Sequence, residues 1–331
     1  MTRLGYQIPN FTYPDGSGGQ VGPAGVFDVV VQQAREADSS GFDTVMVMDH
    51  FYQLPGIGDP SEYMLECYSL LAALAQHTST VRLSALVTGN TYRNPTLLAK
   101  TLATLDVVSG GRAQLGIGAG WFELEHDSLG FEFGTFAERF EKLEEALQII
   151  GPMLRGERPT FDGQHYRVRE AMCEPPPVRR IPIMIGGSGE RKTLRMVAQY
   201  ADESNIICEP ADVSRKLEAL AAHCERLGRD RAEITVSWQR SACIAPTHEE
   251  AVAEVDAMLA RRGVDVSAMG DEDAAHARSR IPHGSPDEIG EQFSEWLALG
   301  VDGFTVNAVA NGHVPGRVAL LGETLAQVVG S

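Results

Sequence analysis

The sequence contains no apolar run near the roughly 20 residues needed to cross a bilayer. Its opening, Met1-Thr2-Arg3-Leu4-Gly5-Tyr6-Gln7, lacks the apolar core and small-residue cleavage site of a secretory signal. Both gaps point to a cytoplasmic protein. Paired cysteines are missing too. Cys67, Cys173, Cys208, Cys224 and Cys243 are scattered, odd in number and form no C-x-x-C, which argues for reduced thiols rather than a disulfide framework. Positive charge is scarce, with 28 Lys+Arg against 45 Asp+Glu and a formal net charge of -17. Such a surface repels phosphate backbones and anionic lipid, so neither nucleic acid nor membrane is an expected partner. An anionic cofactor can still be held locally by helix N-termini and a few basic residues. Repeats, low-complexity tracts and dividing linkers are also absent, so the chain reads as one domain over residues 1–331.

Several familiar motifs fail as well. Gly116-Ile117-Gly118-Ala119-Gly120-Trp121 imitates a dinucleotide fingerprint, but Trp121 stands where G-x-G-x-x-G needs its last glycine, which removes the main support for a nicotinamide. No G-x-x-x-x-G-K-[ST] phosphate loop is present. Glu123, Glu125, His126 and Asp127 are clustered, yet no second group at matching spacing completes a metal set.

What the chain does have is a succession of short apolar runs separated by helical patterns. The runs are Leu4 to Ile8, Thr44 to Met48, Val81 to Val87, Ala113 to Gly118, Ile183 to Gly186, Glu203 to Ile207, Ile234 to Ala245 and Gly303 to Val306. Near-continuous apolar runs are the mark of parallel strands covered on both faces, and eight βα units predict a (β/α)8 TIM barrel. Between the first two runs, Phe27, Val30, Val31, Ala34 and Ala37 keep helical spacing, with Gly41 as the expected C-cap. Ser285-Pro286-Asp287-Glu288 and Thr247-His248-Glu249-Glu250 read as capping boxes.

About 60 residues separate the fourth run from Ile183, too many for one helix and its loops. A helix from Thr135 to Leu154 and a hairpin across Pro159 to Val168, turning at Asp162-Gly163, account for them as a helix-plus-hairpin insertion after strand four. A polar segment from Gly263 to Pro282 shows no period and reads as a loop or lid.

Barrel active sites lie at the C-terminal ends of the strands. Strand two ends in Asp49-His50-Phe51, an imidazole able to exchange a proton near neutral pH beside a carboxylate taken as solvated and ionised. Strand three runs through Leu86-Val87-Thr88-Gly89 to Tyr92-Arg93-Asn94-Pro95, where small residues admit a flat ring and Pro95 starts a helix. Strand four ends in Gly118-Ala119-Gly120-Trp121, with Trp121 either a wall of the site or core packing. After strand five, Gly186-Gly187-Ser188-Gly189 turns into a helix and offers backbone N–H groups to a phosphate.

Together these segments, with Gly41-Phe42-Asp43-Thr44-Val45, Leu105-Asp106-Val107-Val108-Ser109-Gly110-Gly111-Arg112 and Phe140-Glu141-Lys142-Leu143-Glu144-Glu145-Ala146-Leu147, resemble the luciferase-like monooxygenase superfamily, and more closely its deazaflavin-dependent oxidoreductases. The resemblance implies coenzyme F420 as cofactor and hydride transfer to or from a small organic substrate; a homodimer is the default expectation for a soluble oligomer. FMN monooxygenation and cofactor binding without catalysis are the alternatives. It further implies His50 as the acid or base beside the ring, with Asp49 positioning ring or backbone. A bulge or cis peptide at Leu86-Val87 would lie behind the ring. Thr88, Gly89, Gly120 and Trp121 would surround it, and the phosphate tail would sit on Gly186, Gly187, Ser188 and Gly189. The sugar-phosphate dehydrogenases of this group carry a Glu directly after the strand-four glycines where this chain has Trp121, which puts a sugar-phosphate substrate in doubt.

Overall fold

A computed structural model describes residues 3–330; the remaining ends of the 1–331 domain reading lie outside the described residues. Eight parallel strands are formed: β1 Leu4–Ile8, β2 Thr44–Val47, β3 Arg82–Ala85, β4 Ala113–Gly118, β5 Ile183–Gly186, β6 Glu203–Ile206, β7 Thr235–Ser241 and β8 Gly303–Asn307. A short second segment, Thr88–Gly89, continues β3. The sheet runs β3-β2-β1-β8-β7-β6-β5-β4 and closes by pairing β3 with β4, which makes the (β/α)8 barrel that the apolar runs predict. Every residue of β1, β2, β4, β6 and β8 is buried, as strands covered on both faces must be.

The chain divides into two compact units. The first holds residues 46–51 and 65–236. Here β4 pairs with β5 from Leu115↔Ile183 to Ile117↔Ile185, and β5 pairs with β6 from Met184↔Glu203 to Gly186↔Asn205. The Leu105-to-Arg112 motif is structural. Asp106 is buried and accepts from Val178 N at 2.6 Å, Arg179 N at 3.1 Å and Ala113 N at 3.3 Å. The Arg112 guanidinium donates to the carbonyls of Val81, Ala75, Thr78 and Ser109, so it ties the start of β4 to the turn before β3. Helix Pro95–Ser109 starts as expected, with Pro95 at its first turn and Asn94 capping Thr96 N.

The insertion after β4 is present, with helix Glu123–Leu129 preceding helix Phe136–Leu154. Thr135 and Glu138 form a full capping box on the longer helix. The hairpin differs from the two-residue turn at Asp162-Gly163. Asp162 pairs with Arg167, leaving a four-residue loop from Gly163 to Tyr166. Glu145 of the long helix causes this, because its carboxylate accepts the N–H groups of Gln164, His165 and Tyr166 at 2.7, 2.9 and 2.9 Å.

The second unit holds residues 3–45, 52–64 and 237–330. In it β8 pairs with both β1 and β7. Helix Pro23–Ser39 ends on Ser40 as its C-cap, one residue before Gly41. The Ser285 box is complete, with Pro286 in the first turn. The Thr247 box is half formed: Thr247 accepts from Glu250 N, but the Glu250 carboxylate is drawn to Arg317 at 3.3 Å instead of returning to the cap. The run from Ile234 to Ala245 splits into β7 and a separate Cys243–Ile244 segment that pairs with His283–Gly284. The polar stretch from Gly263 to Pro282 contains helix Asp271–Ser279, fastened by Arg278 to Asp256 at 2.6 and 2.8 Å. Among the described residues no helix is long and apolar enough to cross a membrane.

Candidate active site

The end of β2 delivers Asp49 and His50 into two different environments. Asp49 is 1% exposed, not solvated. Its carboxylate meets Arg93 at 2.6 Å and accepts from Gly89 N at 3.2 Å. Arg93 also reaches Glu66 at 2.9 Å and lies 4.8 Å over the Tyr68 ring. Burial pushes the Asp49 carboxyl up to about 6, against the pull of the Arg93 cation and the Gly89 hydrogen bond. Asp49 thus holds the backbone of the second β3 segment in place, and Arg93 is kept charged by it.

His50 has a partner that sequence reasoning missed. Its Nδ1 lies 2.8 Å from Glu125 Oε2. Glu125 is 0% exposed and also accepts from Phe51 N at 2.5 Å and Tyr92 Oη at 2.5 Å. Burial and the Glu125 charge raise the Tyr92 hydroxyl well above its ordinary range, so it stays protonated and donates. A carboxylate only accepts, so the His50 Nδ1 carries hydrogen and its Nε2 is the nitrogen that Glu125 does not engage. The adjacent His126 is buried and tied to Phe122 O at 2.8 Å and Thr91 Oγ1 at 2.7 Å, which is a structural role. Glu125 and His126 are the buried residues of helix Glu123–Leu129. A carboxylate therefore does reach His50, from four residues beyond the Trp121 position.

Trp121 is 59% exposed, so it is not core packing. Its ring stacks on Phe122 with centroids 5.1 Å apart and meets the His50 ring edge-on at 5.9 Å. The Leu86-Val87 peptide is cis, one of the two forms implied for that place. The strand-four glycines have a packing reason of their own. A Cβ on Gly116 would stand 2.0 Å from Ala85 O, and a Cβ on Gly118 or Gly186 would meet the Val87 side chain at 2.9 or 2.7 Å. Thr88 is fully buried and turned inward, with its hydroxyl 2.6 Å from Tyr68 Oη. Gly89 is buried as well and is engaged through Asp49.

The Gly186-to-Gly189 turn follows β5 and leads to helix Thr193–Tyr200. Gly187 has φ 123, a conformation that disfavours any side chain, and its N–H is already given to Asn205 O at 2.9 Å. Ser188 Oγ donates to Ile207 O at 2.6 Å and accepts from Ile207 N at 2.8 Å. Among the described residues no acceptor meets the backbone N–H groups of Ser188, Gly189, Glu190, Arg191 or Lys192. Lys192 adds a cation there, its Nζ 5.3 Å from the Phe136 and Phe140 rings. Free N–H groups, a helix start and a nearby lysine are the groups that can hold an anion here. Metal binding finds no cluster of three or more His, Cys, Asp or Glu among the described residues.

The sequence matches the luciferase-like monooxygenase family over residues 2–303. An F420-dependent glucose-6-phosphate dehydrogenase of Nakamurella multipartita is 30% identical, across 98% of this chain and 95% of that protein. The enzyme of the same description from Microbacterium testaceum is 31% identical over 76% of this chain and 70% of its own length. The solved structure of an F420-dependent secondary alcohol dehydrogenase with an F420-acetone adduct shares the fold, at TM-score 0.76, 19% identity and 99% coverage of both chains.

Proposed function

The chain belongs to the luciferase-like monooxygenase family, and we propose that within it this protein is a cytoplasmic, single-domain oxidoreductase that uses coenzyme F420 to transfer a hydride to or from a small organic substrate. The observation that carries the chemistry is the pairing of His50 with the buried Glu125 beside the exposed Trp121. Relatives that run nearly the full length of the chain and are F420-dependent support the cofactor.

The residues present fit such a group. The anion seat of Ser188 to Lys192 would take its phosphate, and the Leu86-Val87 peptide, Gly120 and Trp121 would bound its ring. When bound, a deazaflavin supplies a ring carbon that accepts or returns a hydride. His50 contributes the proton: with Nδ1 fixed on Glu125, its Nε2 can donate to or accept from the substrate oxygen. Glu125 positions His50 and fixes its tautomer. Asp49 works at one remove, through Gly89 and Arg93. A homodimer belongs to the same reading, supported by Leu97, Val107 and Val108, which helix Pro95–Ser109 leaves exposed.

Equilibrium titrations of the purified protein with oxidised F420, FMN and NADP test the cofactor. The expected result is saturable binding of F420 alone or far more tightly than FMN. Tight FMN binding without F420 binding would reverse the assignment.

A further inference from the structure

The second unit contains an open cavity of about 420 Å³ that touches none of the residues assigned above to the cofactor. It is walled by the segments that follow β1, β2, β7 and β8. Within a mostly polar lining, Ile57, Met258 and Val309 form an apolar floor, and they also pack into the cluster around Cys243 and Val255. Tyr13 and His313 add stacked rings, with centroids 6.0 Å apart at 27°. Burial, with Arg261 nearby, brings His313 down to about 4, so it adds no charge at neutral pH.

Charge comes from Arg261 and Arg262. Arg262 Nη1 donates to Gly56 O at 2.8 Å and Arg261 Nη2 reaches Ala310 O at 3.5 Å, which anchors both side chains. Among the described residues neither guanidinium has a carboxylate within ion-pair distance. Arg93, Arg195, Arg278 and Arg317 are all neutralised by acids. Glu62 also lines the cavity, but it accepts from Asp59 N at 3.2 Å and acts on Arg262 only at longer range. Two cations against one carboxylate leave a local positive excess in a chain of net charge -17.

We propose that this cavity binds a small organic anion with an apolar body. Its carboxylate or phosphate lies on the Arg261 and Arg262 forks, and its apolar part lies over Ile57, Met258 and Val309. Guanidinium forks suit planar or tetrahedral oxyanions, and the volume falls within the ordinary range for small-molecule sites.

Calorimetric titration of the full chain at low ionic strength tests this without any cofactor, so its outcome is independent of the deazaflavin reading. The probes are phenyl phosphate, phenylacetate, inorganic phosphate, glucose 6-phosphate and benzyl alcohol. At least one of the two aryl acids is expected to bind, and which one does identifies the acidic group. Inorganic phosphate, glucose 6-phosphate and benzyl alcohol should each bind about tenfold or more weakly than that acid, since each lacks one half of the match. Arg261 and Arg262 are exposed, so the double variant R261Q/R262Q should keep its melting temperature and lose about tenfold or more in affinity for the acid. Ile57→Asp, which places a negative charge on the floor, should abolish binding by an independent route. Failure of both aryl acids to bind at millimolar concentration would overturn the proposal, as would equal binding of benzyl alcohol or glucose 6-phosphate. Unchanged affinity in the folded double variant would overturn it too.

Discussion

Replacing Glu125 with Gln changes few atoms but inverts the hydrogen-bond logic around His50. The carboxylate now collects three donors, His50 Nδ1, Phe51 N and Tyr92 Oη, at 2.8, 2.5 and 2.5 Å. A glutamine keeps one oxygen, enough for Phe51 N, and turns an amide N–H toward His50. The imidazole must then accept at Nδ1 and carry its hydrogen on Nε2, the nitrogen that the substrate would meet. If His50 Nε2 moves the proton, turnover should fall by about 10²- to 10⁴-fold, the ordinary worth of general acid–base help. Charge-assisted bonds contribute about 1.5–3 kcal/mol each, and with part of the network retained the stability loss should be about 1–3 kcal/mol. Stopped-flow reduction of F420 by an alcohol or sugar phosphate that the wild type oxidises gives the rate, and urea denaturation gives the stability. Cofactor affinity should change by no more than a few-fold. A variant that melts earlier but turns over within a few-fold of wild type would refute the reasoning, because Glu125 would then only brace the fold.

His50→Ala should lower single-turnover rates by a similar factor and leave the melting temperature nearly unchanged; loss of stability with intact turnover per bound cofactor would withdraw the assignment. Asp49 predicts a pH signature in stability. Its folded value of about 6 lies above the unfolded value of about 3.9, so folding takes up a proton in that window and this group's contribution falls as pH rises from about 4 to about 6. Asp49→Asn should flatten that slope in urea midpoints, and an unchanged slope would place the titration elsewhere. Lys192→Gln should weaken F420 binding by about three- to tenfold in a fluorescence titration without changing the melting temperature, whereas unchanged affinity would move the phosphate to another site. Lys192 is a better probe than Gly187, where φ 123 would strain any replacement and mix folding with binding.

The barrel was legible in the sequence because buried parallel strands leave continuous apolar runs, and the run from Ala113 to Gly118 is reproduced to the residue. The insertion was legible from its length and the Phe136, Phe140, Leu143 spacing. Its turn was not, because three N–H groups of the loop are held by Glu145, a contact about 20 residues away that no turn rule contains. The same limit hid Glu125. Its acid and the neighbouring His126 stood in plain view as a charged patch, but the acid's partner His50 lies 75 residues away and His126's partner Thr91 lies 35 residues away. Asp49 was assigned to the right place and the wrong environment: adjacency to His50 suggested a solvent-facing dipeptide, while alternation at the strand end turns one side chain toward Arg93 and the other toward Glu125. The reason for the strand-four glycines was not legible: Ala85 O and Val87, far along the chain, leave no room for a Cβ at Gly116 and Gly118.

The central claim is that this chain moves a hydride with a deazaflavin and a proton with His50. Its most direct test is an anaerobic single turnover with reduced F420 carrying deuterium on the transferring carbon, run with a ketone or other carbonyl substrate and followed by mass spectrometry of the product. The account predicts one deuterium in the product of the wild type, formed without oxygen, and the same label appearing about 10²- to 10⁴-fold more slowly with His50→Ala. Product that forms only with oxygen and reduced FMN, and carries no label from F420, would contradict it.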